Sequence, residues 1–88
     1  MTRDFAFLVA IGLAAGDLIR AVRNADKDNI VAVRLFDDFR GQGVPDGHKS
    51  LALEVTLQPG EKSYDEAELK AIAERVTAAA AKLGATLR

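Results

Sequence analysis

The sequence predicts an α+β fold in which two helices lie on one face of a four-stranded antiparallel sheet. Three observations support this prediction. The 88 residues suffice for one domain, residues 1–88, with a single core. The apolar patterns follow one another in the order β-α-β-β-α-β. Right-handed crossovers then place both helices on the same face, which is the ferredoxin-like sandwich and leaves the other sheet face open.

The first half of the chain is predicted to form a strand, a helix and a second strand. Residues 3–10 place bulky apolar side chains at alternate positions. Residues 12–16 are small, and residues 17–24 then carry apolar side chains at helical spacing. A polar turn at 26–29 precedes residues 30–39, whose β-branched and aromatic side chains indicate a strand.

The second and third strands are predicted to form a hairpin with a long tip. Three glycines and Pro45 interrupt residues 41–47, which are too many for a two-residue turn. Residues 49–58 show the cleanest alternation in the chain, so one face of this strand should be buried. The side chains expected on that buried face are Leu51, Leu53, Val55 and Leu57.

The second helix is predicted to begin after Asp65. Glu68 follows three residues later, which is a capping-box spacing, and Ser63 is the alternative cap. Tyr64 and Leu69 occupy the positions of a hydrophobic staple.

The same helix should bury one apolar stripe and end at a glycine. Gly84 is the expected C-terminal stop, and residues 85–88 are long enough only for an edge strand. The stripe has helical spacing. Its members are Leu69, Ile72, Ala73, Val76, Ala80 and Leu83.

Composition excludes several classes of function. Twelve Lys and Arg against 13 Asp and Glu give a net charge of −1, which argues against a binder driven by charge attraction to nucleic acid. Cysteine is absent, so disulfides and thiolate chemistry are excluded. The uncharged apolar run at 5–16 is too short for a membrane span, and no signal peptide is indicated. We therefore expect a cytoplasmic protein that does not bind membranes.

An independent catalytic site is not expected. The segment Gly41-Gln42-Gly43 lacks the Lys-Ser/Thr ending and the strand-to-helix setting of a phosphate-binding loop. The sole histidine, His48, cannot form a histidine-based metal site by itself and is expected to be solvated. Asp37 and Asp38 are adjacent on a strand, so they should point to opposite faces rather than share a proton.

Residues 35–50 are the candidate functional segment. This stretch combines aromatic residues at a strand end, the cations Arg40 and Lys49, and a glycine-containing loop. One interpretation is a hairpin with a solvated rim. The other is a contact surface where aromatic side chains stack on a base or a protein ring, and cations meet phosphate or carboxylate.

Four stretches of the chain together resemble a known family. They are Arg3-Asp4-Phe5-Ala6-Phe7, Leu35-Phe36-Asp37 with Phe39-Arg40-Gly41, Gly47-His48-Lys49-Ser50-Leu51-Ala52, and Gly84-Ala85-Thr86-Leu87-Arg88. In this combination the sequence resembles the C-terminal ferredoxin-fold anticodon-binding domain of the bacterial phenylalanyl-tRNA synthetase beta subunit. The resemblance covers essentially the whole chain.

The resemblance implies a site and a set of partners. Such domains recognise the anticodon stem-loop of tRNA-Phe, and the residues expected near the anticodon are Ala10, Asp37, Phe39, Ser50 and Arg88. The family usually has Tyr where this chain has Phe39, so a stacking platform is retained without the hydroxyl. Further implied partners are the remainder of the beta subunit and the alpha subunit, which holds the aminoacylation site. The parent ligase would use ATP and magnesium, whereas this domain would bind no cofactor and hold no catalytic residue.

The alternation of the second strand conflicts with this site. Three of its apolar side chains at alternate positions are expected to be buried: Val31, Val33 and Leu35. Strict alternation would bury Asp37 and Phe39 as well. A β-bulge near Phe36 would shift the parity and turn both side chains to the open face.

Two other functions share the predicted topology. A regulatory module similar to an ACT domain would bind a small molecule at an interface between subunits, so it would need a dimer. An enzyme of the acylphosphatase type would need an arginine in the loop after the first strand and an asparagine on the hairpin. Residues 11–16 contain no arginine.

Overall fold

The computed structural model describes residues 1–58 and 64–88. Ser63, the alternative cap, lies outside the described residues. The strands pair antiparallel in one sheet of order β2-β3-β1-β4, so the predicted ferredoxin-like α+β fold is confirmed. In chain order the elements are β1 (Thr2–Ala10), α1 (Ala15–Ala25), β2 (Ile30–Phe39), β3 (His48–Leu57), α2 (Glu66–Ala81) and β4 (Thr86–Leu87).

One face of the sheet forms the core together with both helices. The odd-numbered positions of β3 are buried there, as predicted, and Phe7 and Val9 of β1 lie beside them. From the helices, the core receives mainly Leu18 and Val22 of α1 and Ile72, Val76 and Ala80 of α2. The helix side of the sheet is therefore covered by packed apolar side chains, and the other face and the edges remain accessible to a partner.

Three details differ from the predictions. Helix α1 begins at Ala15, so Gly16 is helical rather than part of the linker. Val31 is exposed rather than buried, because a register shift between Ile30 and Ala32 leaves it without a partner on β3. Leu83 is 39% exposed, because α2 ends at Ala81 and Leu83 belongs to the turn that follows.

Both ends of α2 are capped by the residues that the sequence predicts. The Asp65 side chain accepts a bond from the Glu68 amide over 2.7 Å, and the Glu68 side chain accepts from the Asp65 amide. At the other end, the Gly84 amide donates to Ala81 and the Ala85 amide to Ala80. This Schellman arrangement requires the positive φ of 78° that Gly84 supplies.

We expect Asp65→Ala to lower the free energy of unfolding by about 0.5–2 kcal/mol, because the Glu68 amide loses its acceptor. Urea unfolding of the two proteins, compared at equal slope, measures the difference. Glu66→Ala is the matched control, since Glu66 is an exposed carboxylate in the same turn without a capping bond. Coinciding midpoints for Asp65→Ala and the parent protein would show that Asp65 does not stabilise the helix.

A buried carboxylate ties the end of α1 to the middle of α2. Asp26 is 8% exposed, accepts from Asn29 over 2.8 Å and pairs with Arg75 over 2.6 Å. Burial raises the pKa of Asp26, but the bonds from Asn29 and Arg75 and the guanidinium charge outweigh it and lower the pKa below its ordinary value. The pair therefore stabilises the fold above the unfolded-state pKa of about 3.9, and loses this effect as the pH falls through the native pKa.

None of the helices in the described part of the chain is long and apolar enough to cross a membrane.

Candidate functional site

The sheet face opposite the helices carries the even-numbered positions of its two central strands. Strand register aligns Leu8 with Ser50, Ala6 with Ala52, and Asp4 with Glu54. The small side chains of Ala6 and Ala52 make the middle of this face shallow. We call it the open face, and its half nearest the β2–β3 loop is the tip half.

A bulge brings Asp37 and Phe39 onto the open face. Leu35 of β2 is opposite Leu53 on the helix side, but the register shifts between Leu35 and Asp37. Beyond this shift, Asp37 is opposite Ala52 and Phe39 is opposite Ser50. The predicted bulge near Phe36 is therefore confirmed. Asp38, opposite Leu51, points to the other side, as predicted for adjacent strand residues.

Phe39 and Ser50 are neighbours with very different exposure. Phe39 lies at the end of an edge strand and is 46% exposed. Ser50 lies on the central strand β3 between Leu8 and Phe39 and is only 7% exposed. The sequence predicts the face of Ser50 correctly, but Ser50 is almost covered on that face.

Arg88 joins the same face from the opposite edge of the sheet. Its amide donates to the Ala6 carbonyl over 2.8 Å, which continues the pairing of β4 with β1. Its guanidinium donates to the Gly43 carbonyl in the β2–β3 loop over 3.3 Å. β4 lies two strand spacings from β3, about 10 Å, and the long Arg88 side chain crosses this distance to meet the loop. The hairpin tip is thus bonded to the far edge of the sheet.

Ala10 completes the set of predicted site residues. It ends β1 opposite His48 and is exposed at the tip half of the open face. All five predicted residues therefore lie on this face, with Asp37, Phe39 and Ser50 in adjacent register positions and Arg88 at the far edge. His48 is exposed, as predicted.

Comparison with known proteins identifies the family. The family model of the ferredoxin-fold anticodon binding domain matches residues 1–88. The chain belongs to this family. The resemblance seen in the sequence is thereby confirmed.

Curated relatives agree with the family match. A phenylalanine–tRNA ligase beta subunit from Novosphingobium aromaticivorans is 70% identical over 88 residues, which is 100% of this chain. The corresponding subunits of Zymomonas mobilis and Rhodospirillum rubrum are 51% and 44% identical over 98% and 100% of the chain. The anticodon binding domain described here spans 11% of the length of each of these relatives.

The half of the open face away from the β2–β3 loop also carries charged side chains. Beyond the tip half, the open face carries Asp4 and Glu54, and Arg34 lies 3.5 Å from Glu54. The far half of the face therefore carries one Arg–Glu ion pair beside the exposed carboxylate of Asp4. Within residues 1–58 and 64–88, no group of three or more His, Cys, Asp or Glu side chains could hold a metal ion.

Two contributors to the site are not predicted from the sequence. The Gly43 carbonyl takes part through its backbone, and the sequence does not reveal which long-range donor it meets. The second is Asp38, which accepts two bonds from Arg40, whereas the sequence predicts Arg40 on a solvated rim or in contact with a partner. Alternate positions at a strand end could have suggested that pair.

Proposed function

We propose that this domain recognises the anticodon stem-loop of tRNA-Phe as a module of a phenylalanine–tRNA ligase beta subunit. Residues 1–88 would act as a single RNA-binding domain without catalytic residues. The observation that carries the proposal is the bulge, which turns Asp37 and the half-exposed Phe39 onto a sheet face that no helix covers. The names of the relatives supply the parent enzyme.

Each site residue has a role that its position supports. The Phe39 ring stacks on an anticodon base, and the exposed Asp37 carboxylate accepts bonds from base-edge donors. Arg88 exchanges the Gly43 carbonyl for a phosphate or a base. The short side chain of Ala10 lets RNA approach the end of β1. Ser50 forms the floor beneath the stacked base, and its hydroxyl reaches RNA only if the covering side chains or the loop move.

The partners and cofactors of the parent enzyme follow from the same proposal. The remainder of the beta subunit and the alpha subunit would hold the domain at the tRNA, and the parent would use ATP and magnesium away from this domain. An exposed aromatic on an open sheet face favours RNA recognition over a small-molecule sensor, whose site would lie at a helix–strand interface. The cytoplasmic setting stays a prediction.

We expect Asp37→Ala in the complete ligase to reduce the discrimination between cognate and anticodon-substituted tRNA-Phe, because a base-edge acceptor is lost. The measurement is kcat/KM for aminoacylation with both tRNAs. Loss of one good base contact, about 1–3 kcal/mol, changes the preference by about 5- to 150-fold.

Asp4→Ala is the matched control for this experiment. It removes the same charge from the same face, on β1 at the row of Glu54. Discrimination that falls equally in both variants would indicate a general effect of charge. Discrimination that is unchanged by Asp37→Ala would remove Asp37 from anticodon recognition.

A further inference from the structure

The strand end that carries Phe39 has little backbone support of its own. β2 is an edge strand, so its backbone pairs only with β3. Phe39 is the last residue of β2, and the chain then enters the loop through Arg40 and Gly41, whose φ is 123°. A ring that acts as a stacking platform must be held in a defined direction, and here no following strand residue does so.

The two residues that flank Phe39 in sequence, Asp38 and Arg40, form an ion pair on the side of the strand opposite to the Phe39 ring. Arg40 donates from Nε to Asp38 Oδ1 and from Nη2 to Oδ2, both over 3.2 Å. The two residues flank Phe39 in sequence, and Asp38 is opposite Leu51, on the helix side. These two hydrogen bonds hold the side chains of Asp38 and Arg40 together on one side of the strand. The Phe39 side chain between them is therefore directed to the other side.

The electrostatics of the strand end agree with a formed pair. The bond from Arg40 is the main cause that lowers the pKa of Asp38, with the nearby Lys49 charge adding to it. The same bond raises the pKa of Arg40. Lys49 is 6% exposed and follows His48 on β3. The carboxylate of Asp38 is therefore occupied on the side of the strand that faces away from the open face.

We propose that Asp38 and Arg40 are positioning residues, which hold the Phe39 ring in the direction needed to stack on an anticodon base. The proposal rests on the proposed function of the open face. Its rival is a direct contact between Arg40, whose side chain is 53% exposed, and a tRNA phosphate. The two alternatives differ in what Asp38 does. As a positioning residue Asp38 assists binding, whereas as a competitor for Arg40 it opposes binding.

The test compares Asp38→Asn, Arg40→Gln and the double variant in the complete ligase, by tRNA-Phe affinity over a range of salt concentrations. Both single variants should bind about two- to fivefold more weakly, since exposed ion pairs are weak. The double variant should be no worse than either, and the salt dependence should stay unchanged. Arg20→Gln is the matched control, because it breaks another exposed Arg–Asp pair, with Asp17 of α1.

The same variants in a Phe39→Ala background separate the two levels of the proposal. If the pair acts through the ring, Arg40→Gln adds no further loss once the ring is removed. A loss confined to Arg40→Gln, with a weaker salt dependence and no loss for Asp38→Asn, would establish the phosphate contact instead. Unchanged affinity in all pair variants would also overturn the positioning role. If Phe39→Ala itself has no effect, the proposed function fails, and the positioning role fails with it.

Discussion

Phe39→Ala in the complete ligase is expected to lower kcat/KM for tRNA-Phe by about tenfold or more. Stacking of one base on an aromatic side chain contributes about 1–3 kcal/mol, and 1.4 kcal/mol corresponds to a factor of ten. Phe39 is the half-exposed ring of the open face, and its neighbour Ser50 cannot replace it as a platform. Steady-state aminoacylation with cognate tRNA measures the effect.

Two variants bracket this result. Phe39→Tyr keeps the ring, so its kcat/KM should be close to that of the parent enzyme. Phe36→Ala removes another ring with the same exposure of 46%, from the unpaired position of the bulge. We expect it to leave tRNA use unchanged when the melting temperature is unchanged. Normal kinetics for Phe39→Ala would show that the open face does not contact the anticodon.

Leu53→Ala is expected to have the largest effect on stability, a loss of about 2–5 kcal/mol. Leu53 is fully buried on the central strand β3, where its register partners are Phe5 and Leu35. Because strands hold it on both sides, the cavity can collapse only partly. Domains of this size have about 5–15 kcal/mol in total, so the variant would approach unfolding. Urea denaturation of the 88-residue chain measures it.

Leu83→Ala tests the reason for that loss with the same chemical change. The side-chain pattern of α2 places Leu83 in the apolar stripe, but Leu83 is 39% exposed in the turn after the helix. Its loss should therefore be well under half that of Leu53→Ala. Equal losses would mean that Leu83 packs in the core as the helical pattern predicts, and that the end of α2 differs from the structure described.

The sequence predicts the elements of this fold well because they depend on local patterns. The alternation of β3 specifies its buried face, and the Asp65–Glu68 spacing specifies where α2 begins. The prediction fails where the spacing of apolar residues continues past the end of a regular strand or helix. Val31 fits the alternation but falls in a register shift, and Leu83 fits the helical spacing but follows the last helical turn. Neither the register shift nor the end of the helix changes the spacing of apolar residues in the sequence.

The candidate site is less accessible to pattern analysis. Its residues came from a family resemblance, and alternation by itself placed Asp37 and Phe39 on the wrong face. The bond from Arg88 to Gly43 depends on the path of the β2–β3 loop. That path brings together residues 45 positions apart. No local propensity specifies such a contact.

The bulge at Phe36 gives β2 two alternations that are out of phase with each other. Between Ala32 and Leu35 the odd-numbered side chains face the core, whereas from Asp37 onwards the odd-numbered side chains face the open side. If β2 kept its length but paired with β3 without the bulge, Phe36 would oppose Ala52, and Asp37 and Phe39 would turn towards the helices. One unpaired residue thus lets a single strand contribute odd-numbered side chains to the core before Phe36 and to the open face after it, so selection on core packing and on the open face can act on the two segments separately.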